Sequence, residues 1–212
     1  MSGLKRVLIA DDHAIFREGL KLIIASIDKS TVVDEASNTQ EVCGKIKDND
    51  YDLVIMDITM PGRSGLDCLV EIKKNKPNLP ALIMSSHLEE QYALRAYKAG
   101  AAGYLTKGGS TKELIEALQK ISMGQKYVSS ALADILIAEL GNPKQEQMLK
   151  GLSNREYQVL CMIASGKPVG KIADELSLSV KTISTYRVHI LKKLNMKNNA
   201  EITRFAIENR LL

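Results

Sequence analysis

Five short apolar runs, separated by segments of helical spacing, constrain the fold of this 212-residue chain more than any other feature. They lie at residues 6–10 (RVLIA), 31–33 (TVV), 53–56 (LVIM), 81–84 (ALIM) and 102–106 (AGYLT). Between them, apolar residues recur at intervals of three and four, as on the buried face of a helix. Short apolar strands alternating with helices are typical of a parallel sheet covered on both faces. The first half is therefore predicted to be an α/β doubly wound five-stranded parallel sheet.

Polar side chains stand at the ends of four predicted strands: Asp11 and Asp12 after the first, Asp57 after the third, Ser85 after the fourth and Lys107 after the fifth. In a doubly wound sheet these strand ends share one edge, so the side chains can converge on one pocket. Clustered carboxylates repel one another unless a cation intervenes, and hard oxygen ligands suit Mg²⁺. A lysine and a hydroxyl beside them can bind phosphoryl oxygens. The pattern predicts phosphoryl transfer with a carboxylate as nucleophile.

Other residues near this edge have simpler interpretations. Strand alternation allows only one of Ser85 and Ser86 to point inward, and the motif favours Ser85. Tyr104 taken alone is typical of a half-buried strand aromatic. His13 and His87 are interpreted as solvated loop residues, because neither has a ligand partner at useful spacing.

The order of these residues resembles the receiver domain of bacterial two-component response regulators over residues 4–124. The matching positions are the acid pair Asp11-Asp12, the string from Asp57 through Met60-Pro61 to Gly65, Ser85 and Lys107. The resemblance implies a CheY/flavodoxin-like fold in which Asp57 is the phosphoacceptor and a sensor histidine kinase is the donor.

The same resemblance implies roles around the phosphoacceptor. Mg²⁺ would be bound directly by Asp12 and Asp57, through water by Asp11, and by the backbone carbonyl of Thr59. Ser85 would be the switch hydroxyl, Lys107 would pair with the phosphoryl group, and Tyr104 would be the aromatic whose inward movement reports phosphorylation. Gly108 stands where many receivers have proline, which leaves the form of that peptide bond open.

The middle of the chain is predicted to be a linker. Residues 129–140 (SSALADILIAEL) form a predicted amphipathic helix, and 144–151 form a polar tether. A plain spacer and a helix that makes interdomain or subunit contact are both open interpretations. The predicted division is a receiver domain at 1–124, a linker at 125–151 and a further domain at 152–212.

The last sixty residues are predicted to be entirely helical. The predicted helices cover 154–164, 169 or 170 to 176, 180–194 and 199–207, and Ser153 with Glu156 forms a capping box before the first. A short helix, a three-residue turn and a longer helix make a helix-turn-helix. In the longer helix, four apolar or aromatic positions share an inward face, namely Ile183, Tyr186, Ile190 and Leu194.

The strings LSNREYQVL and IADELSLSVKTI resemble the LuxR-type helix-turn-helix of NarL/FixJ-type regulators. The resemblance implies base contacts from Ser184, Thr185 and Val188, and positions near DNA phosphates for Lys181, Thr182, Arg187 and Lys192. Relatives often carry lysine among the base readers, whereas this chain has short uncharged residues there. A solvated basic face without function is the alternative interpretation of the outward side of this helix.

Charge and composition agree with this division. Residues 152–212 carry ten Lys and Arg against five Asp and Glu, whereas the other 151 residues carry 19 against 20. A basic end domain suggests that this part meets a polyanion. The three cysteines follow no metal or disulfide spacing, and no apolar run approaches the roughly 20 residues of a membrane span. We expect a cytoplasmic protein without a membrane partner.

The leading hypothesis is a phosphorylation-dependent DNA-binding transcriptional regulator and not a turnover enzyme. Its expected partners are a sensor histidine kinase, double-stranded DNA at a promoter operator and a second copy of the chain upon phosphorylation, with RNA polymerase a further candidate. An aspartyl-phosphate phosphatase is a rival, although such enzymes commonly carry a second acid where this chain has Thr59. A third reading is a constitutive DNA-binding protein whose receiver only dimerises.

Overall fold

The computed structural model describes residues 4–87, 89–130, 132–134, 149, 151–209 and 211. Its contacts divide the chain into two compact units, Met1–Leu132 and Ala133–Leu212. Within the described part of the chain, no helix has the length and apolar character needed to cross a membrane.

The first unit is a parallel sheet with alternating helices. Its strands are β1 (Arg6–Ala10), β2 (Val32–Ala36), β3 (Leu53–Met56), β4 (Ala81–Ser85) and β5 (Gly103–Thr106). Its helices are α1 (Ala14–Ile27), α2 (Thr39–Asp48), α3 (Gly65–Asn75), α4 (Glu89–Lys98) and α5 (Thr111–Ser122). All strand pairs are parallel, in the order β2-β1-β3-β4-β5. The predicted five-stranded α/β fold is confirmed.

Local sequence signals set the ends of these helices. The side chain of Asn38 accepts a hydrogen bond from the Glu41 amide at the start of α2. Ser110 begins α5 with a complete capping box to Glu113. The central strands β3 and β4 are buried along their whole length, because helices cover both faces of the sheet.

The second strand is longer than its apolar pattern predicts. It covers Val32–Ala36 instead of residues 31–33, since two acidic residues lie inside it. β2 is an edge strand that pairs only with β1, and its acids form ion pairs at this edge. Asp34 accepts a hydrogen bond from Arg6, and Glu35 pairs with Arg17 and Lys21. Edge strands tolerate such charges, so the length of an apolar run underestimates the length of this strand.

The compact first unit continues beyond the last helix of the sheet. Tyr127 is buried in the main apolar cluster, and its amide donates to the carbonyl of Ala102 at 2.8 Å. Leu132 is also buried. The receiver boundary at 124 stays a prediction about the functional domain. Most of the predicted helix over 129–140 and of the tether over 144–151 lies outside the described residues.

The described part of the second unit contains α6 (Asn154–Ala164), α7 (Val169–Glu175), α8 (Val180–Lys193) and α9 (Asn199–Glu208). The capping box between Ser153 and Glu156 is confirmed. Ser177, in the turn between α7 and α8, adopts a positive φ of 52°, which lets the chain reverse sharply. Helices α8 and α9 both pack against α6, with Ile183 and Ile190 buried completely. The predicted helix-turn-helix is thereby formed.

Candidate functional site

The carboxyl ends of four strands meet at one edge of the sheet and bring the predicted pocket residues together. Ala10 of β1 pairs in register with Met56 of β3, so Asp11 and Asp57 follow side by side. On the other side, the amide of Lys107 donates to the carbonyl of Ser85 at 2.7 Å. Parallel pairing thus brings together residues that lie up to 96 positions apart in the sequence.

Two buried carboxylates share one lysine at the centre of this pocket. The Nζ atom of Lys107 lies 2.7 Å from Asp11 Oδ2 and 2.8 Å from Asp57 Oδ2. Asp11 and Asp57 are only 1% and 3% exposed, so water does little to stabilise their charge. The lysine also lies over the Phe16 ring, 4.8 Å from its centroid. One lysine therefore serves two buried carboxylates, and the centre of the pocket carries excess negative charge.

This imbalance sets the ionisation of the pocket. Burial raises the pKa of Asp57 to about 6, against the attraction of Lys107, and the neighbouring Asp11 carboxylate adds to the rise. Burial opposes the charge of Lys107 as well, but the Asp57 and Asp11 carboxylates outweigh it and raise the pKa of the lysine above its ordinary value. An added cation would relieve the excess negative charge.

The same edge offers ligands for a metal ion. Asp11, Asp12, His13 and Asp57 each present one ligand atom, and these atoms all lie within 4.8 Å of one another. The Oδ1 atom of Asp57 is buried and has no hydrogen-bond partner among the described residues. A buried carboxylate oxygen of this kind is costly unless a cation or another group binds it. The residues therefore fit a metal ion, and hard oxygen ligands predominate.

His13 lies closer to this cluster than its sequence suggested. Its Nδ1 atom is 2.8 Å from Asp12 Oδ1 and 3.1 Å from Asp11 Oδ1, although 68% of the side chain is exposed. Its amide donates to Asp11 Oδ1 at 2.9 Å. The expectation that His13 is solvated holds, but the expectation that it lacks a partner was wrong. The turn into α1 folds the ring back towards the acids, which spacing alone does not reveal.

The fourth strand presents its hydroxyl inward, as predicted. Ser85 is fully buried and Ser86 is exposed, so the choice between them is confirmed. The Ser85 Oγ accepts a hydrogen bond from the His87 amide at 3.2 Å. Tyr104 is 1% exposed, and its hydroxyl donates to the carbonyl of His87 at 2.9 Å. The backbone of His87 therefore connects the strand-end serine with the inward tyrosine.

The His87 side chain is half-buried, so its interpretation as a solvated loop residue was wrong. Its Nε2 atom lies 3.3 Å from Thr59 Oγ1, and its ring lies 4.7 Å from the Tyr92 ring. It thereby bridges the loops that follow β3 and β4. This contact joins residues 28 positions apart and could be found only from the tertiary structure.

A glycine fixes the loop that follows Asp57. A Cβ atom at Gly65 would lie 2.2 Å from the carbonyl oxygen of Asp57 and 2.9 Å from the Cα of Ile58. No side chain fits there, so α3 can begin directly against the backbone of the Asp57 loop. On the opposite side of the pocket, the bond between Lys107 and Gly108 is trans, which settles the question that the missing proline left open.

Helix α8 of the second unit exposes most of the residues predicted to meet DNA. The exposed members are Lys181, Ser184, Thr185, Val188 and Lys192. Thr182 is half-buried, and its amide and hydroxyl both contact the capping residue Ser179. Arg187 is half-buried, and its Nε donates to Asn199 Oδ1 at 2.6 Å. Arg187 therefore joins α8 to α9 in addition to any role at the surface.

An ion pair holds α8 in place. Lys193 Nζ lies 2.6 Å from Oε2 of Glu156, which is buried and also completes the cap of α6. Although burial opposes it, the hydrogen bonds from Lys193 and Ser153 lower the pKa of Glu156. The contact fixes the last turn of α8 against α6 and keeps its outward face in one orientation within this unit.

Comparisons with known proteins agree with this geometry. Residues 7–119 match the response regulator receiver domain, and residues 150–206 match the bacterial regulatory proteins of the luxR family. Response regulator UvrY of Escherichia coli K12 is 34% identical over 206 residues, covering 97% of this chain and 94% of that protein. Response regulator GacA of Pseudomonas protegens is 34% identical over 207 residues, covering 98% and 97%.

Solved structures of response regulators share the fold. The RcsB response regulator of Salmonella typhimurium aligns with a TM-score of 0.59 and 25% identity over 98% of this chain and 99% of that one. RcsB of Salmonella enterica serovar Typhimurium bound to a promoter in the presence of the phosphomimetic BeF₃⁻ aligns with a TM-score of 0.59 and 25% identity, covering 96% and 98%.

A five-stranded α/β unit with this acidic pocket, followed by a helix-turn-helix unit, defines a response regulator. The chain belongs to the response regulators of the NarL/FixJ type, with a receiver domain and a luxR-type helix-turn-helix domain. Its function is phosphorylation-dependent regulation of transcription through DNA binding.

Proposed function

We propose that a sensor histidine kinase transfers a phosphoryl group to Asp57, and that this event controls binding of α8 to a promoter operator. The observation that carries the proposal is the buried carboxylate of Asp57. Its Oδ1 has no hydrogen-bond partner in the described chain, and its Oδ2 lies 2.8 Å from Lys107 Nζ. A carboxylate oxygen without a hydrogen bond is available to a metal ion or for attack on phosphorus. Because the pKa of Asp57 is about 6, most of the carboxylate is ionised at pH 7 and able to attack.

The acids around Asp57 would hold Mg²⁺, with Asp12 and Asp57 as direct ligands, Asp11 acting through water and the Thr59 carbonyl completing the set. When bound, the cation supplies positive charge to the phosphoryl oxygens. A carboxylate oxygen of Asp57 attacks phosphorus, and the bond to the donor's leaving group breaks in line. Lys107 then moves its ion pair from Asp57 Oδ2 to a phosphoryl oxygen.

The phosphorylated pocket would act on the neighbouring strand ends. A phosphoryl group adds a charge of about −1.5 to −2 at this edge and attracts the hydroxyl of Ser85. The Ser85 Oγ and the Tyr104 hydroxyl are both bonded to the backbone of His87, so movement of Ser85 also moves the anchor of Tyr104. We infer that the altered surface favours a homodimer.

A dimer would present two copies of α8 to two half-sites in successive major grooves. On each copy, Lys181 and Lys192 would contact phosphates, with Thr182 and Arg187 beside them. Ser184, Thr185 and Val188 would face base edges, where hydroxyl and methyl groups can make short contacts. The promoter complex of RcsB supports this use of the domain. RNA polymerase is a further candidate partner, and the cytoplasm is the proposed location.

The decisive experiment is intact mass spectrometry after incubation with acetyl phosphate and Mg²⁺. We expect one phosphoryl adduct on the wild-type protein and none on Asp57→Asn or after chelation of the metal. Asp52→Asn is the matched control, because Asp52 is exposed at the other end of the same strand and accepts hydrogen bonds from the amides of Lys5 and Arg6. An adduct that persists in Asp57→Asn would assign the reaction to another residue.

A second measurement separates the rival functions. Continuous hydrolysis of small phosphoesters by the wild-type protein would favour the phosphatase. Operator binding that is equally tight with and without the adduct would favour the constitutive DNA-binding protein. We expect neither, because Thr59 supplies no second acid and the pocket retains every residue of the phosphoryl site.

A further inference from the structure

Two cysteines that the phosphoryl site does not use lie in contact across two helices of the first unit. Cys43 is on α2 and Cys68 is on α3, and α2 packs against α3. Their sulfur atoms are 3.7 Å apart, although 25 positions separate them in the sequence. A disulfide bond is about 2.05 Å long, so an approach of less than about 2 Å would join them. Both are free thiols here.

The two thiols occupy different environments. Cys68 is 1% exposed, and its Sγ lies 3.9 Å from the carbonyl of Thr39. Cys43 is only partly buried, so reagents in solution can reach it. Burial and the adjacent Cys43 raise the pKa of the Cys68 thiol well above its ordinary value. Cys43 is therefore the thiol that reacts first, and Cys68 is placed to react with it second.

We propose that Cys43 and Cys68 form a redox-active dithiol, a modification site that peroxide converts into an intramolecular disulfide. The proposal concerns a site on α2 and α3 and does not depend on phosphorylation of Asp57. The bridge would close a covalent loop from residue 43 to residue 68, which contains all of β3, Asp57 and Gly65.

The chemistry balances with hydrogen peroxide as the oxidant. The Cys43 thiolate attacks one peroxide oxygen, the O–O bond breaks, and the departing hydroxide takes up the thiol proton as water. Cys43 is then a sulfenic acid. The Cys68 sulfur attacks the Cys43 sulfur, the S–O bond breaks, and hydroxide leaves with the Cys68 proton as a second water. Two thiols are oxidised by two electrons, and one peroxide is reduced to two waters.

The test uses the 212-residue chain and counts its three cysteines. The protein is treated with hydrogen peroxide under native conditions, denatured in excess N-ethylmaleimide and weighed intact. We expect one alkylated cysteine and the loss of two hydrogens, against three alkylated cysteines in untreated protein or after reduction. Trypsin should then yield residues 30–45 joined to residues 64–73, whereas 156–171, which contains Cys161, should carry the single label.

Three variants make the result specific. Cys161→Ser should still lose two thiols, whereas Cys43→Ser and Cys68→Ser should form no intramolecular bridge. Both single variants are needed, because Cys68→Ser changes a buried site and can perturb packing. Cys43→Ser removes the same bridge at a partly exposed residue. Three alkylated cysteines after treatment would overturn the proposal. So would a sulfinic acid on Cys43 without a bridge, or a disulfide that joins two chains.

Discussion

The buried charge of Asp57 makes a quantitative prediction for stability. The pKa of this carboxyl is raised from its ordinary 3.8 to about 6 in the folded protein. Folding therefore favours the protonated form. The free energy of unfolding that Asp57 contributes is fully present below pH 3.8 and is lost as pH rises through about 6. Two pKa units correspond to about 3 kcal/mol, so the ionised pocket is destabilised by about that amount at pH 7.

The Asp57→Asn variant removes this charge while keeping the shape of the side chain. We expect it to unfold at higher urea than wild type at pH 7 in the presence of a chelator. With about 2 kcal/mol per molar urea, the midpoint should rise by roughly 1–2 M. The difference should shrink at pH 3.5, where the wild-type carboxyl is protonated in both states. Circular dichroism of the α/β unit follows the transition.

Two further measurements test whether the buried charge of Asp57 causes this difference in stability. Asp28→Asn is the matched control, because hydrogen bonds from Ser30 lower the pKa of that exposed carboxylate and its removal should not stabilise the protein. Added Mg²⁺ should stabilise wild type selectively and reduce the advantage of Asp57→Asn, since a ligand that binds the folded state raises its stability. The reasoning is refuted if Asp57→Asn is no more stable than wild type at pH 7, or if its advantage is the same at pH 3.5.

Further predictions concern packing, DNA binding and the tyrosine anchor. In urea unfolding, Gly65→Ala should destabilise the first unit by at least about 1–3 kcal/mol, because the new Cβ meets the backbone of Asp57, and it should also reduce phosphoryl labelling. Gly44→Ala is the control: its position in α2 is open, so the same assay should show no change or a stabilisation of about 0.5–1 kcal/mol. Lys181→Ala should weaken operator binding and flatten the slope of log affinity against log salt concentration by about one unit. The control Lys29→Ala, in the first unit, should leave that slope unchanged. An unaltered slope for Lys181→Ala would show that Lys181 does not contact a DNA phosphate. Tyr104→Phe should cost about 1 kcal/mol of unfolding free energy by loss of its hydrogen bond to His87, and an unchanged urea midpoint would contradict that contribution.

Much of the candidate site could be read from local patterns. The apolar runs located four strands closely, and the capping box of Ser153 with Glu156 marked the start of α6. Each of these signals acts over a few residues, which is why sequence carries it. β2 was mislocated because its edge position, and not its own pattern, makes charged residues acceptable.

Contacts between residues far apart in the chain could not be predicted from the sequence. His87 meets Thr59, Tyr127 enters the main core, and Cys43 meets Cys68, each across a separation that no periodicity encodes. These contacts depend on how helices and loops pack over the sheet. The residues next to a histidine or a cysteine in the sequence do not indicate which distant residue it will contact.

Local patterns along the chain were enough to predict the parallel sheet, the helix-turn-helix and the gathering of Asp11, Asp57, Ser85 and Lys107 at one edge, because parallel strands must end on the same side. Tertiary packing sets which atoms meet there. It placed Lys107 within 2.8 Å of both buried carboxylates and left Oδ1 of Asp57 without a hydrogen-bond partner in the described chain. Charge and burial at that distance set the pKa of the carboxyl, and they arise only when the strands are packed.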